Sequence, residues 1–141
     1  MSFFGEITSK EHYGLRLAIR LAETFKTKKP ISLAEISELE NISMKYLEHL
    51  IVPIKKAKWV ESVRGREGGY LMIKDPHKIT LKDLIDITSQ RPYVIGCLAT
   101  GAGRKKCPLD CSCKSKNAWK KVQEALFKSM EDIKFSQLID N

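Results

Sequence analysis

Two short amphipathic segments separated by a three-residue break constrain this chain more than any other feature. Ser32 precedes Leu33, Ile36 and Leu39, and Glu35 follows Ser32 by three positions. Serine and glutamate at that spacing satisfy each other's free backbone donors, a capping box that opens a helix with Leu33, Ile36 and Leu39 facing its core. Asn41-Ile42-Ser43 ends the pattern, and Ser43 is placed to cap a further helix carrying Leu47, Leu50, Ile51 and Ile54. Two short helices joined by so tight a turn form a helix-turn-helix. Upstream, residues 10–26 set Leu15, Ala18, Ile19, Ala22 and Phe25 at spacings of three and four, which predicts a first helix ended by Lys26-Thr27-Lys28-Lys29-Pro30. Pro53 removes a backbone donor and crowds the His49 carbonyl, so a kink or loosening is expected over residues 49–53, beyond the first turns of that helix.

Trp59–Val63 and Tyr70–Ile73 are β-prone runs flanking Arg64-Gly65-Arg66-Glu67-Gly68-Gly69. They predict a hairpin with a glycine-rich, arginine-bearing tip, which after a helix-turn-helix makes a winged helix-turn-helix. Thr80 with Asp83 caps a fourth helix through about Ser89, with Leu81, Leu84 and Ile85 on its buried side. Residues 115–131 form a long helical pattern in which Trp119, Val122, Leu126 and Met130 follow one another by three or four, beside Ala125 and Phe127. A chain of 141 residues has little core left to cover that stripe. Pairing with a second copy across a two-fold axis covers it economically; packing back on its own domain is the alternative. The expected fold is mainly α with a small β-hairpin: a winged helix-turn-helix plus a long C-terminal dimerisation helix. The expected division is a DNA-binding domain over 1–92, a cysteine-rich loop over 93–114, and the dimerisation helix and tail over 115–141.

All four cysteines, Cys97, Cys107, Cys111 and Cys113, fall within 17 residues, together with Gly101, Gly103 and Pro108. Thiolates gathered on a flexible loop suit a soft metal or an iron–sulfur cluster. Arg104, Lys105, Lys106, Lys114, Lys116, Lys120 and Lys121 surround them, with Asp110 opposing. Such positive charge lowers thiol pKa and favours the thiolate. A zinc site could use the same ligands, although paired C-x2-C knuckles are absent, and a metal-free thiol switch is a third reading.

The formal net charge is +8, from 25 Lys and Arg against 17 Asp and Glu, which favours nucleic acid or an anionic surface as partner. No apolar run approaches the ~20 residues of a membrane span, and Met1-Ser2-Phe3-Phe4-Gly5-Glu6 lacks the basic and apolar regions of a signal peptide. A cytoplasmic protein without membrane contact is therefore expected. No catalytic constellation is visible: Arg64–Gly69 is a wing turn rather than a phosphate-binding loop, and three scattered histidines suggest no hydrolase. An enzyme is not expected.

The segments Ser43-Met44-Lys45-Tyr46-Leu47-Glu48-His49-Leu50, Ser62-Val63-Arg64-Gly65-Arg66-Glu67-Gly68-Gly69-Tyr70 with Ile79-Thr80-Leu81, and His12-Tyr13-Gly14-Leu15-Arg16 together resemble the recognition helix, wing and first helix of the Rrf-two family of bacterial transcription regulators. The resemblance runs from about Ile7 to Leu138. It implies a homodimer and, in cluster-binding members, three cysteine ligands before the long helix with a fourth often given by the partner's first helix. Cys107 and Cys113 keep the family's five-residue gap, and Cys113 keeps its spacing to Trp119. Cys97 would be the first ligand, but nine residues rather than five separate it from Cys107. The fourth ligand is open between Cys111 and His12, which stands where relatives carry an acidic ligand. The cluster type, 2Fe-2S or 4Fe-4S, is open with it. His77 has no matching role. Relatives controlled by a partner or metabolite make a cluster-free regulator of the same fold the alternative.

For DNA, Ser43, Lys45, Tyr46, Glu48 and His49 are the polar side chains on the first turns of the recognition helix, the part that lies near base edges. Glu48 can accept from a cytosine amino group and His49 can donate to guanine, and by resemblance both positions read bases while Ser43 and Lys45 hold phosphates. Arg64 and Arg66 on the wing suit a narrow A·T minor groove; a generally solvated basic surface is the plainer reading. A two-fold dimer would place its half-sites on a palindromic double-stranded operator about one helical turn, ~34 Å, or a multiple of it apart.

Overall fold

In the computed structural model, which describes residues 7–89, 93–99, 107–110 and 112–140, six helices and one hairpin follow in the order α1 (Ser9–Thr27), α2 (Leu33–Glu40), α3 (Met44–Lys56), β1 (Val60–Val63), β2 (Gly69–Met72), α4 (Leu81–Thr88), α5 (Lys114–Glu131) and α6 (Phe135–Ile139). Short 3-10 turns stand at Pro76–Lys78 and Gly96–Leu98. This is the winged helix arrangement, mostly helical with one two-stranded antiparallel sheet.

Local chemistry sets most of the helix starts. Ser32 accepts from the Glu35 backbone at 3.1 Å while the Glu35 carboxylate accepts from the Ser32 backbone at 2.8 Å. Thr80 and Asp83 repeat the exchange at 3.2 and 2.8 Å, and Thr8 with Glu11 opens α1 in the same way. Such caps contribute about 1 kcal/mol each. Asn41 ends α2 in the left-handed region at φ 53°, and the chain turns directly into Ser43 and α3.

The core lies where α1, α3 and α4 meet the base of the hairpin. Leu17, Leu21, Ile36, Leu47, Leu50, Ile54, Met72, Ile79 and Leu84 are all buried there. Leu39, expected to face this core, is instead 59 % exposed. From Leu33, two steps of three residues rotate the helix by about 120° away from the starting direction, which carries Leu39 off the stripe. Pro53 does not loosen α3, which runs as helix to Lys56. His49 is exposed, so water can take the place of the backbone donor that Pro53 denies to its carbonyl.

Backbone and side-chain ties place the wing and the C-terminus. Strands β1 and β2 pair Val60 with Met72 through Val63 with Gly69. Ile31 and Tyr70 exchange backbone hydrogen bonds of 3.0 and 2.8 Å, so the segment entering α2 adds to the outer side of β2. Thr24 Oγ1 of α1, itself donating to the Leu21 carbonyl at 2.6 Å, accepts from the Met72 backbone at 2.8 Å. Beyond α5 the chain returns: Leu81 donates to the Ile133 carbonyl at 2.9 Å and Phe135 to that of Ile79 at 3.0 Å. Phe135 is completely buried, with its ring edge-on to Trp59 at 6.3 Å.

Helix α5 stands apart from this core. None of its residues is buried; Trp119, Phe127 and Met130 are half-buried, and Val122 and Leu126 are 38 % and 43 % exposed. Lys82 of α4 lies over the Phe127 ring at 4.4 Å. No helix among the described residues is long and apolar enough to cross a membrane.

Candidate functional site

Helix α3 presents its polar flank to solvent because its buried apolar residues are all on the opposite side. Leu47, Leu50, Ile51 and Ile54 are buried, whereas Ser43, Lys45, Glu48 and His49 are exposed. Among the described residues no side chain pairs with Lys45, Glu48 or His49, so their charge and hydrogen-bonding capacity face outward unspent. Ser43 caps the helix by accepting from the Tyr46 backbone at 3.2 Å, which leaves its O–H free to donate. Tyr46 differs from the others: its ring turns inward and stacks edge-on against Tyr13 of α1 at 5.9 Å. Only a part of this side chain is available to an outside partner.

The wing carries the second cationic element. Gly65, at φ 114°, and the Gly68 to Gly65 hydrogen bond of 3.0 Å shape a tight tip. Arg64 and Arg66 are exposed there, with no ion pair among the described residues. An uncompensated guanidinium pair on a narrow projection is an electrostatic fit to a groove lined by phosphates.

Sequence reasoning missed how α3 is aimed. Arg16 and Arg20 of α1 both bind Glu40 at the end of α2, at 2.7 and 2.5 Å, and Arg16 Nη2 also donates to the Glu40 carbonyl at 2.6 Å. Burial pushes the Glu40 carboxyl up, but the hydrogen bonds from Arg20 and Arg16 outweigh it and hold the group below the usual carboxylate range. The signal was present as a charge pair at a helix spacing on α1, but its partner lies 20 residues and more away in sequence. Also missed were Met44 and Val52, large apolar side chains 40 % and 42 % exposed on the same helix.

The thiols occupy the approach to α5. Cys97 is half-buried in the Gly96–Leu98 turn, and the nearby Val94 N–H donates to Gln123 Oε1 on α5 at 2.9 Å. Cys107 is exposed, its carbonyl accepting from Asp110 at 3.1 Å. Cys113 is the N-cap residue of α5. Its Sγ lies 3.1 Å from Ser115 Oγ, and the Ser115 hydroxyl and the Lys116 backbone N–H hold the thiol below its ordinary range. The Lys116 ammonium, which also pairs with Asp110, adds to that effect. All three are free cysteines. Cys111, together with Arg104, Lys105 and Lys106, lies outside the described residues.

The donor set suits a thiolate-bound centre in its chemistry: reduced sulfurs, at least partly open to solvent, one drawn toward thiolate by a helix N-terminus. Yet among the described residues no three Cys, His, Asp or Glu side chains gather as a metal site. His12 is exposed on α1, its ring 5.3 Å from that of Tyr13, and forms no such group with the described cysteines of its own chain.

The profile of the Rrf2 family, described as iron-dependent transcriptional regulators, matches residues 7–141. The regulator IscR of Klebsiella pneumoniae strain 342 is 31% identical over 135 residues, spanning 96% of this chain and 80% of that protein. CymR of Bacillus subtilis strain 168 is 39% identical over 82 residues, 58% of this chain and 59% of that one. Among solved structures, T. potens IscR superposes with a TM-score of 0.74 at 29% identity, covering 96% of this chain and 87% of the other. The structure of CymR, described as the global cysteine regulator of B. subtilis, does so with 0.75 at 27% identity, covering 96% and 97%. These relatives are named as transcription regulators, not as enzymes. With the exposed polar flank of α3, its basic wing and a match over nearly its whole length, the chain belongs to the Rrf2 family of transcription regulators.

Proposed function

We propose that the protein is a homodimeric, cytoplasmic regulator that binds a palindromic double-stranded operator, and that an iron–sulfur cluster on the loop before α5 sets its affinity. Residues 1–92 would read DNA, 93–114 would carry the thiols, and 115–141 would supply the pairing helix and tail. Cys97, Cys107 and Cys113 would hold the cluster, with Cys111 or His12, given across the dimer, as the fourth ligand. The cluster would supply redox sensitivity, since its ligation is lost or altered on oxidation.

The observation that carries this reading is Cys113 at the N-cap of α5. A thiol held toward thiolate at the start of the helix with no buried residue ties ligand state to the element that would pair two chains. A shift at that point changes the spacing of two recognition helices. A coupling of about 1–3 kcal/mol would alter operator affinity some 5–150-fold.

The second reading is a cluster-free regulator of the same fold, governed by thiol oxidation, zinc, or a partner or metabolite. The exposed, free Cys107 and the 39% identity to CymR across the shared segment support it. Anaerobic purification followed by a visible spectrum, iron and sulfide analysis and DNA titration separates the two. A coloured protein containing iron and sulfide, bleached in Cys97→Ser, Cys107→Ser and Cys113→Ser with altered DNA affinity, is the expected result. Colourless protein whose affinity responds only to thiol oxidants would establish the second reading instead.

A further inference from the structure

Met44 and Val52 stand on the outward side of α3, 40 % and 42 % exposed, among Lys45, Glu48 and His49. At about 100° per residue, Met44, Glu48 and Val52 follow one another in a slanting row that turns about 40° at each step of four, and Val52 falls roughly opposite the buried flank of Leu47, Leu50, Ile51 and Ile54. Neither apolar side chain belongs to the core cluster or packs against it. The valine stands at the centre of the face that carries a free carboxylate, an ammonium and an imidazole.

We propose that Met44 and Val52 are specificity-determining residues that read thymine 5-methyl groups in the major groove, on either side of a cytosine amino group accepted by Glu48. The inference rests on the DNA-binding reading above and says which bases the helix prefers. Major-groove edges present one apolar feature, the thymine methyl, and apolar side chains recognise it by burying it. The occupant is set by the surroundings: Lys45 on the same helix and Arg64 and Arg66 on the wing are unpaired cations among the described residues, matched to phosphate on both sides of a groove. Met44 lies in the first helical turn, where base contacts begin. Val52 is eight residues further on, ~12 Å along the axis, so the two methyls would lie about three to four base-pair steps apart. Met44, unbranched and polarisable, tolerates small shifts in that contact, whereas the stiff Val52 demands register.

The test selects duplexes from a randomised pool with the full-length, anaerobically purified protein, then replaces single thymines of the selected half-site by deoxyuridine. Removing one buried methyl is expected to weaken binding about fourfold. The deoxyuridine effect at one thymine should vanish in Val52→Ser, and at another in Met44→Ser, while both variants keep the salt dependence of the unaltered protein. Both positions are exposed, so folding is spared, and the deoxyuridine arm needs no variant at all. Selected duplexes indifferent to deoxyuridine, or equally sensitive in the variants, would overturn this inference alone. A pool from which no sequence is enriched would overturn the DNA reading together with it.

Discussion

Arg16 grips Glu40 twice, through Nε to the carboxylate at 2.7 Å and through Nη2 to the backbone carbonyl at 2.6 Å. The second contact satisfies a terminal carbonyl of α2, and Arg20 completes the cluster from one turn further along α1. Because α3 begins four residues after Glu40, this cluster also fixes where that helix starts. The same α1 surface places Tyr13 against Tyr46 and beneath the Arg16 guanidinium, 5.5 Å from the ring centre. The first helix therefore positions α3 through both charge and packing.

Acid should release that grip. The Glu40 carboxyl titrates below its ordinary value of 4.5 in the folded chain. Its contribution is thus complete above about pH 4.5 and is lost as pH falls through the lower folded value. Thermal melts from pH 7 to pH 3 should show the gap between the unaltered protein and Glu40→Gln narrowing below pH 4.5. Glu35 and Asp75 are also held low, by the backbones and side chains of Ser32 and His77, but they remain in both proteins and cancel in the comparison. The Glu40 side chain is 12% exposed and its arginine partners about a third, so Glu40→Gln should cost about 1–2 kcal/mol at pH 7.

Phe135 should prove indispensable to the winged domain despite its place near the C-terminus. Its ring is fully buried against Trp59, and its backbone is held by Ile79. Phe135→Ala should lower stability by about 3–5 kcal/mol in denaturant titration. Phe135→Leu, which keeps most of the volume, should cost appreciably less. Equal losses in the two variants would show that the site collapses around whatever it holds.

What could be read from the sequence is what depends on neighbours within a helical turn. Ser32 with Glu35, Thr80 with Asp83, and Ser43 each cap a helix, and the exposed flank of α3 follows from the spacing of Leu47, Leu50, Ile51 and Ile54. Leu39 shows where that reasoning weakens: a three-residue rhythm drifts off the buried stripe, and an eight-residue helix offers too little pattern to correct it. Pro53 shows another limit, because an exposed flank lets a helix tolerate the missing bond. Contacts between distant segments, such as Phe135 with Trp59, Ile31 with Tyr70 and Arg20 with Glu40, leave no local trace. The cysteines are of this kind too, since any convergence would depend on loop closure and, for His12, on a second chain.

The wing glycines have unequal duties. Gly65 turns the tip in open space, but a Cβ on Gly69, at φ 151°, would meet the Ile31 carbonyl oxygen at 2.2 Å. Gly69 is therefore what allows β2 to close against the segment entering α2. Gly69→Ala should destabilise by about 1–3 kcal/mol and displace the wing. Gly65→Ala should cost less, since only backbone strain opposes it. Hydrogen exchange at the Tyr70 amide, bonded to Ile31 at 2.8 Å, reports the loosening directly.

Arg64 and Arg66 should act on affinity through charge rather than fold. Both are exposed and unpaired among the described residues, so alanine at either leaves melting temperature nearly unchanged. An arginine that neutralises a phosphate should, when replaced, reduce the slope of log affinity against log salt by about 0.9. An arginine inserted in a narrow A·T minor groove would instead leave, on replacement, weaker discrimination between A·T and G·C at the flanks of the half-site. Titrating Arg64→Ala and Arg66→Ala at several salt concentrations, on both flank compositions, distinguishes these two uses of the wing.

Helix α5 provides the test of assembly. Eighteen residues of helix with none buried, and Val122 and Leu126 on its apolar stripe 38% and 43% exposed, would be poorly stable alone in water. A second α5 packed along the stripe would bury these side chains at about 25 cal/mol per Å² of apolar surface. A carboxylate at Leu126 would have to give up its hydration to enter that apolar contact, which opposes pairing. Leu126→Asp should therefore sediment as a monomer at concentrations where the unaltered chain is a dimer. Its affinity for a full palindrome should fall to that for a single half-site, while helices α1 to α4 keep their melting temperature. Unchanged sedimentation would place the stripe against its own domain rather than a second copy.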